Sequence, residues 1–266
     1  MLKQIFLISL IVFGSVFLIF YLFQRQLIYF PDKQKPVLSE YQAQDMTEIS
    51  ISTSDQIKLN AWYKSALNNK PTLLYLHGNA GHIGHRMPTV RTFINMGMGV
   101  LLLEYRGYGG NAGKPTESGL YIDARAALNF LAQKGVTGKQ VVIYGESLGT
   151  GVATKIAEET SVCALILQSP FTSLTQIAHY HYPWIPVKPW DEFNSLERIK
   201  RINAPILVIH GKLDDIVPYE EGLKIYNAAN KPKSMLSFDQ YDHHDLRMGT
   251  NFNQEIISFI LNNCPG

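Results

Sequence analysis

The sequence contains little cysteine. Its 266 residues include only two, Cys163 and Cys264, so the sequence implies no disulfide framework. Cys163 borders the apolar run Ala164–Leu167 and is predicted to be a small buried side chain. No set of cysteines and histidines has the spacing of a zinc site, so we expect no metal centre.

Blocks of positive charge are also absent. The net charge is +2, and no run of lysine and arginine could follow a phosphate backbone, so we expect no nucleic-acid partner. Apolar residues make up 46% of the chain, which excludes a disordered protein. The N-terminus differs from the rest, and we divide the chain into a segment 1–30 and a domain 31–266. Roughly 230 residues suit one α/β domain better than two.

The N-terminal segment contains a long uncharged apolar run from Ile5 to Phe23. At about 1.5 Å per residue, a helix of this run is about 28 Å long, close to the thickness of the hydrocarbon layer of a bilayer. The alternative is a cleaved signal peptide, but the run is longer than such peptides need, and Phe20–Phe23 offers no small residues to a peptidase. We predict an uncleaved, single-pass membrane anchor. Its orientation stays open, because Lys3 and Arg25 flank the run on opposite sides.

Short β-rich runs alternate with helical stretches through the rest of the chain. Residues 47–53 and 57–63 alternate apolar and polar side chains around a turn at 54–56, which predicts an antiparallel hairpin. Five later runs are apolar without alternation, which is typical of parallel strands that are covered on both faces. These runs are Thr72–Leu76, Val100–Leu103, Val141–Tyr144, Ala164–Leu167 and Ile206–Ile209.

Helical stretches separate the predicted strands. Apolar side chains recur at helical spacing over residues 119–133, and residues 221–229 and 253–261 are also predicted to be helices. Repeated β-α units after a hairpin predict a mostly parallel sheet with helices on both faces, a three-layer α/β sandwich. Residues 171–201 break this rhythm with prolines and aromatic residues, which predicts a small cap inserted between two core strands.

The strongest motif is Gly145-Glu146-Ser147-Leu148-Gly149, between a predicted strand and a predicted helix. A G-x-S-x-G nucleophile turn requires this context, because its glycines permit a sharp bend that raises the serine hydroxyl above the sheet edge. The N-terminus of the following helix favours developing negative charge. Ser147 is therefore predicted to be a catalytic nucleophile.

A serine hydroxyl needs a base, and in this arrangement an acid and a histidine follow the serine along the chain. Asp214 and Asp215 both follow the predicted strand Ile206–Ile209, at the sheet edge where catalytic residues lie. His243 and His244 both follow the last apolar run. Position along the chain does not separate the two members of either pair.

Acyl transfer at a serine also requires two backbone N–H groups that bind the oxyanion. Leu148, the residue after the serine, supplies one of them. The glycine-rich segment His77–Gly81 follows the third predicted strand, and we expect Asn79 to supply the other. This chemistry needs no metal or cofactor, and we expect none.

These motifs together resemble the α/β-hydrolase superfamily over about residues 45–264. With its apolar N-terminus, the chain looks like the membrane-anchored abhydrolase-domain branch, which includes palmitoyl-protein thioesterases. The resemblance favours Asp214 as the acid and places the histidine of the family's Gly-His-Asn-Asp ending on His243, with Asp242 in place of the glycine. The motifs that carry the resemblance are Leu76–Gly81, Glu104–Gly109, Gly145–Gly149 and His210–Asp214. The second of these is similar to the family's acidic-x-Arg-Gly-aromatic-Gly turn, which implies structural support for the site.

The resemblance implies an esterase or thioesterase whose substrate is an acylated small molecule, lipid or protein, with membrane lipid as a partner of the N-terminal helix. A peptidase of the prolyl-aminopeptidase kind shares the fold, but the cap acids Asp191, Glu192 and Glu197 are too loosely placed to hold a substrate amine. A non-enzymatic scaffold is disfavoured by the intact set of catalytic residues. The aromatic cap residues either line an apolar acyl groove or pack the cap onto the domain; with one aliphatic neighbour they are Tyr180, Tyr182, Trp184, Ile185 and Trp190.

Overall fold

The structure is a computed structural model that describes residues 2–184 and 188–264, so Ile185 and Pro186 of the predicted cap lie outside the described residues. The described strands are β1 (Phe30–Pro31), β2 (Thr47–Ser52), β3 (Lys58–Lys64), β4 (Thr72–Leu76), β5 (Ala80–Gly81), β6 (Gly99–Leu103), β7 (Val141–Glu146), β8 (Ala164–Gln168), β9 (Ile206–Gly211) and β10 (Lys233–Phe238). The described helices are α1 (Leu2–Phe23), α2 (Met87–Asn95), α3 (Glu117–Gln133), α4 (Leu148–Glu159), α5 (Leu174–His181), α6 (Ser195–Ile199), α7 (Tyr219–Ala228) and α8 (Phe252–Asn263).

Eight of these strands form one sheet in the order β10-β9-β8-β7-β4-β6-β3-β2, and β1 pairs with β5 in a separate two-stranded sheet. β2 and β3 form the predicted antiparallel hairpin, and β3 also lies antiparallel to β6. The remaining pairs in the large sheet are parallel. Every residue of β4 and β6 is buried, as expected of parallel strands that are covered on both faces.

Helices cover both faces of the large sheet. On one face, Leu120 of α3, Val152 of α4 and Ile225 of α7 belong to one buried apolar cluster. On the other face, Phe93 of α2 and Ile256 of α8 belong to a second cluster. The predicted three-layer α/β sandwich with a mostly parallel sheet is therefore confirmed.

The apolar N-terminus forms helix α1, whose described side chains from Lys3 to Phe23 are all exposed. The span Lys3–Leu27 is long and apolar enough to cross a membrane, and its mean hydropathy is 2.8. A helix in the core of a soluble domain would bury one of its faces, which α1 does not. One helix of this kind at the N-terminus fits the predicted anchor.

The two cysteines form a disulfide bond, so the prediction that the sequence implies no such bond was wrong. Cys163 directly precedes β8, and Cys264 follows α8 and is buried. Their Cα atoms are 5.6 Å apart, although 101 residues separate them along the chain. Sequence spacing could not predict the pair, because it forms only once α8 has packed back along the sheet beside the start of β8.

We predict that the disulfide stabilises the domain. Replacing both cysteines, as Cys163→Ser/Cys264→Ser, is expected to lower the free energy of unfolding by about 2–4 kcal/mol, because the unfolded chain loses a cross-link. Denaturation of the full chain in detergent measures this difference. Cys163→Ser alone is the control and is expected to cost a similar amount, since either change breaks the bond. Two free thiols in the unreduced protein would contradict the assignment.

Candidate active site

Ser147 lies at the sharp turn between β7 and α4. Its backbone has φ of 50° and ψ of −118°, a conformation that non-glycine residues rarely adopt. A Cβ atom at Gly149 would collide with the carbonyl oxygens of Leu76 and His77, and one at Gly145 would lie 2.7 Å from the carbonyl oxygen of Gly149. Both glycines of the motif are therefore required by close backbone approach, as the motif predicts.

The structure brings Ser147, His243 and Asp214 together, although they come from three separate loops. His243 Nε2 lies 3.0 Å from Ser147 Oγ, and His243 Nδ1 lies 2.7 Å from Asp214 Oδ2. The other oxygen of Asp214 accepts backbone N–H groups from Ile216, at 3.1 Å, and Val217, at 2.8 Å. The carboxylate is thus fixed at both oxygens, with one of them facing the imidazole.

The electrostatics of Asp214 keep it ionised. Burial by itself raises the pKa of this carboxyl, but hydrogen bonds with His210 and His243 outweigh burial and hold the pKa well below its usual range. His210 is fully buried, and its Nε2 lies 3.3 Å from Asp214 and 2.8 Å from the carbonyl oxygen of Val217. The histidine that the sequence analysis left without a role therefore supports the acid.

The neighbouring candidates are not part of this series of contacts, although His244 lines the same pocket as Ser147. Asp215 and His244 are exposed, and neither takes part in the contacts that join Ser147, His243 and Asp214. Asp242, which stands where the family has glycine, orders the histidine loop through its Oδ1. This oxygen accepts the backbone N–H groups of His244, at 2.7 Å, and Asp245, at 3.1 Å. Geometry thus separates the two adjacent pairs that sequence position alone did not.

The two N–H groups expected to bind an oxyanion belong to segments that meet at Ser147. Leu148 begins α4, and the loop that contains Asn79 follows β4. Gly78 lies so close that a Cβ atom there would be 3.4 Å from the Cβ of Ser147. Within the described residues, neither the N–H of Asn79 nor that of Leu148 donates a hydrogen bond. Both are therefore free to donate to a substrate oxygen.

The segment that follows α1 is bonded to this loop, which the sequence analysis missed. Phe30 of β1 pairs with Ala80 of β5, and its N–H donates to the carbonyl oxygen of Asn79 at 2.9 Å. The side chain of Asn79 donates in turn to the carbonyl oxygen of Ile28 at 2.9 Å. A two-residue strand has no detectable sequence period, so no signal could have revealed this contact.

Asp191 connects the same segment to the cap. Its buried carboxylate accepts hydrogen bonds from Arg25 Nε at 2.8 Å, from Tyr29 Oη at 3.0 Å and from the backbone N–H of Glu117 at 3.1 Å. Burial, and then the charge of Asp191, raise the pKa of Tyr29, so its hydroxyl remains a donor at any physiological pH. The chain that leaves α1 is thereby joined to the domain at two places, the loop after β4 and the cap.

The turn Glu104–Gly109 supports the segment that follows β4, which contains Asn79 and Ile83. Glu104 accepts the N–H of Ile83 at 3.0 Å, and the hydroxyl of Tyr108 donates to the carbonyl oxygen of Asn79 at 2.8 Å. A Cβ atom at Gly109, where φ is 51°, would collide with the side chain of Glu104. These contacts agree with the structural role predicted for this turn.

A pocket of about 370 Å³ opens beside Ser147 and His243, and most of the residues that line it have polar or charged side chains. Arg86 spans Glu146 with two hydrogen bonds of 3.1 Å. Burial by itself raises the pKa of Glu146, but the charge and hydrogen bonds of Arg86 lower it, so the pair is ionic. Arg247 also lines the pocket, is exposed and forms no ion pair with any described residue. The pocket therefore carries an excess of positive charge.

The aromatic cap residues do not line this pocket, as far as the chain is described. Tyr180, Tyr182 and Trp184 are exposed by 59%, 55% and 72%, and Trp190 packs on Tyr21 of α1 with 5.2 Å between ring centroids. Neither predicted use of these residues, an acyl groove or packing onto the domain, describes the first three. Tyr180 lies in the last turn of α5, and Tyr182 and Trp184 follow the end of this helix at His181.

One group of side chains has a composition that could hold a metal ion. Asp32, His82 and His85 place one potential ligand atom each within 4.8 Å of one another. However, Nδ1 of His82 accepts the N–H of Gly84 at 3.1 Å, so its Nε2 carries the proton and faces the hydroxyl of Tyr41 at 3.2 Å. His82, the buried member of the group, is therefore already hydrogen-bonded within the protein.

Known proteins are similar to this chain in sequence and in architecture. A family profile, Hydrolase_4, described as serine aminopeptidase, S33, matches residues 68–190. An uncharacterized protein of Mycobacterium tuberculosis is 38% identical over 227 residues, which cover 84% of this chain and 81% of that protein. Protein bem46 of Schizosaccharomyces pombe is 30% identical over 264 residues, which cover 91% of this chain and 87% of bem46. The chain belongs to the α/β-hydrolase superfamily, among its abhydrolase-domain proteins.

Two further relatives are named for hydrolytic activities. Lysophosphatidylserine lipase ABHD12 of Rattus norvegicus is 37% identical over 207 residues, which cover 69% of this chain but only 52% of the lipase. The crystal structure of the esterase Pf2001 of Pyrococcus furiosus superposes with a TM-score of 0.71 at 23% identity, over 89% of this chain and 100% of the esterase. At this identity the superposition shows the fold.

We predict that the ion pair beside Ser147 is important for stability. Arg86→Gln is expected to lower the free energy of unfolding by about 2–4 kcal/mol, because it leaves the carboxylate of Glu146 largely buried without a counter-charge. Arg91→Gln is the matched control. Arg91 pairs with Asp45 at 2.9 Å on the surface, and its loss is expected to cost about 0–1 kcal/mol. Equal effects in denaturation of the two variants would contradict this assignment.

Proposed function

We propose that the protein is a serine hydrolase that cleaves an acyl ester or thioester through an acyl-enzyme intermediate. The observation that carries the proposal is the unbroken series of contacts from Ser147 Oγ to His243 Nε2, 3.0 Å, and from His243 Nδ1 to Asp214 Oδ2, 2.7 Å. The ionised Asp214 accepts a hydrogen bond from the N–H at Nδ1 of His243. The lone pair of Nε2 is then directed at the serine hydroxyl. This tautomer is the one that a general base requires.

The proposed reaction starts with attack of Ser147 Oγ on the acyl carbonyl carbon, while the hydroxyl proton passes to His243 Nε2. The N–H groups of Asn79 and Leu148 donate to the resulting oxyanion, and the positive end of α4 lies beneath it. The bond from carbon to the leaving oxygen or sulfur then breaks, and His243 returns its proton to the leaving group. A water molecule, deprotonated by His243, then attacks the acyl carbon of the acyl-enzyme. The bond from this carbon to Ser147 Oγ breaks, His243 returns the proton to Oγ, and the acid is released.

Lipids are the acyl substrates that the observations favour. The rat relative is named as a lipase of lysophosphatidylserine. Helix α1 fits a single-pass anchor, and the chain that leaves it contacts the loop of Asn79 directly, which supports a position of the active site close to the bilayer surface. The guanidinium of Arg247, which pairs with no carboxylate among the described residues, would complement a phosphate or carboxylate on a lipid headgroup.

The aminopeptidase alternative finds no support in the cap. A peptidase of that kind needs free carboxylates for the substrate amine, whereas each cap acid that the sequence offers already faces a cation of the protein. These pairs are Asp191–Arg25 at 2.8 Å, Glu192–Lys188 at 2.7 Å and Glu197–Lys200 at 2.8 Å. Glu146 in the pocket is likewise paired with Arg86.

The disulfide bears on the orientation that the flanking charges left open. Disulfides persist in oxidising compartments and are rare in a reducing cytoplasm. The bond between Cys163 and Cys264 therefore favours an extracytoplasmic position of the catalytic domain, with the N-terminus of α1 on the cytoplasmic side. Thiol titration of the protein from cells tests this proposal together with the disulfide itself.

The catalytic assignment predicts the outcome of paired substitutions. Ser147→Ala and His243→Ala are each expected to lower kcat for ester hydrolysis by up to about 10⁶-fold, and Asp214→Asn by about 10⁴-fold. Labelling of the protein by a serine-directed fluorophosphonate and hydrolysis of a soluble ester are the two measurements.

The adjacent residues provide matched controls. His244→Ala and Asp215→Asn are expected to retain labelling and most of the activity, because both side chains lie outside the contacts with Ser147. An essential His244 or Asp215, or labelling of the Ser147→Ala variant, would overturn the assignment.

The lipid proposal predicts a preference for an anionic headgroup. We expect a higher kcat/KM for lysophosphatidylserine than for lysophosphatidylcholine of the same acyl chain. Arg247→Gln is expected to reduce this preference about tenfold, the effect of losing one charge-assisted hydrogen bond. Arg201→Gln is the control, because Arg201 pairs with Glu158 and does not line the pocket. Release of an N-terminal amino acid from a peptide with similar efficiency would instead favour the aminopeptidase.

A further inference from the structure

Three aromatic side chains of the cap form an exposed surface that the catalytic site does not use. Tyr180, Tyr182 and Trp184 are exposed by 59%, 55% and 72%, and the rings of the last two are 6.4 Å apart. We call these three residues the aromatic surface. A soluble domain rarely leaves tryptophan and tyrosine exposed side by side unless the surface contacts something.

The neighbouring residues of the chain show what lies beside this surface. The ring of Trp190 packs on Tyr21 near the end of α1 and lies 5.3 Å from the guanidinium of Arg25, and its backbone N–H donates to Gln24 at 2.7 Å. Trp190 therefore sits where the apolar helix ends. In a membrane-spanning helix this level is the boundary between hydrocarbon and headgroups, where tryptophan and tyrosine accumulate.

The chain limits how far the aromatic surface can lie from that level. Trp184 precedes Trp190 by six residues, which limits the separation of their backbones to roughly 20 Å. The bilayer that receives α1 extends laterally beyond this distance around the helix. The buried carboxylate of Asp191, held by Arg25 and Tyr29, fixes the cap backbone next to Trp190 to the chain that leaves α1.

We propose that the aromatic surface inserts into the headgroup region of the bilayer beside α1, as a second membrane contact. The anchor then does more than tether the domain, because it and the aromatic surface together set the face that the domain turns to the lipid. Tyrosine and tryptophan suit this position, since each combines an apolar ring with one polar group that stays hydrated. The proposal rests on α1 spanning a membrane but does not rest on the reaction at Ser147.

The surface is also connected to the catalytic site. His181 lies between Tyr180 and Tyr182, and its Nε2 is 2.9 Å from the carbonyl oxygen of Ile216. The N–H of the same Ile216 donates to Asp214 at 3.1 Å. On the other side of the site, β1 holds the loop of Asn79. The cap next to the aromatic surface and the strand β1 therefore each contact a loop that carries a candidate catalytic group. On this proposal, the pocket lies on the side of the domain that faces the membrane.

Fluorescence quenching by brominated lipid tests the proposal in the full chain. The protein contains three tryptophans, of which Trp62 is buried in the core. The variant Trp190→Phe leaves Trp184 as the exposed fluorophore and keeps a ring beside Arg25. Reconstituted in phosphatidylcholine vesicles whose acyl chains are brominated near the headgroup, it is expected to lose the emission of Trp184, compared with unbrominated vesicles. The measurement is made on Ser147→Ala protein, so that it is independent of any lipid hydrolysis.

A positional control uses the opposite edge of the sheet. Leu67 lies in the connection between β3 and β4 and is 61% exposed. It is at the edge of the sheet where β4 begins, which is opposite to the edge that carries the loops around Ser147. In the triple variant Trp184→Phe/Trp190→Phe/Leu67→Trp, emission is expected to be insensitive to bromine. Unquenched Trp184 in vesicles that retain the protein would overturn the proposal. So would protection of Trp184 by a second copy of the chain, seen as a dimer in detergent that Trp184→Ser dissociates.

Discussion

The turn at Ser147 places three segments of backbone in contact with no side chain between them. The positive φ of Ser147 costs a non-glycine residue about 1–3 kcal/mol, and the surrounding structure has to impose it. It does so because β4 and β7 are neighbours in the sheet, so that Gly149 meets the carbonyl oxygens of Leu76 and His77. The same approach brings Gly78 against the serine side chain. One packing contact therefore positions both the proposed nucleophile and the loop of its proposed oxyanion donor.

Asp214 and His243 lie on the loops that follow β9 and β10, on the side of β7 that is opposite to β4. β8, β9 and β10 follow β7 in order, and their loops carry the partners of Ser147 past the carboxyl ends of the strands. The geometry there is tightened by polar contacts. Asp214 is fixed by two backbone N–H groups and by His210, and the loop of His243 is ordered by Asp242.

The residues that follow α1 connect this helix to the loops around Ser147. They supply a strand partner to Ala80, a carbonyl acceptor to Asn79 and two donors to Asp191. A flexible tether would satisfy none of these groups within the domain. Helix α1 and the candidate active site are therefore held together by contacts within the domain, which fits the proposal of a substrate that resides in the bilayer.

Sequence analysis predicted the elements whose signals are local. The uninterrupted apolar runs of β4 and β6 indicated parallel strands, and the apolar span of α1 indicated a helix of membrane length. The motif around Ser147 combined a strand, a turn and a helix within a few residues. For the acid and the histidine, it predicted the two loops that the structure brings to Ser147. The choice of Asp214 over Asp215 came from family resemblance, because adjacent residues have the same local context.

By itself, the sequence determined the succession along the chain of the strands that form the large sheet, the position of the turn at Ser147 and the composition of the apolar N-terminus, since each depends on residues close together in the chain. Only the tertiary structure decided the rest. The Cys163–Cys264 bond joins residues that are 101 positions apart. Asp191 accepts hydrogen bonds from Arg25 and Tyr29, which are remote from it in the sequence. The aromatic surface is exposed rather than folded over the pocket. These features depend on distances between segments that are remote in sequence, and only the packed sheet and its loops bring such segments together.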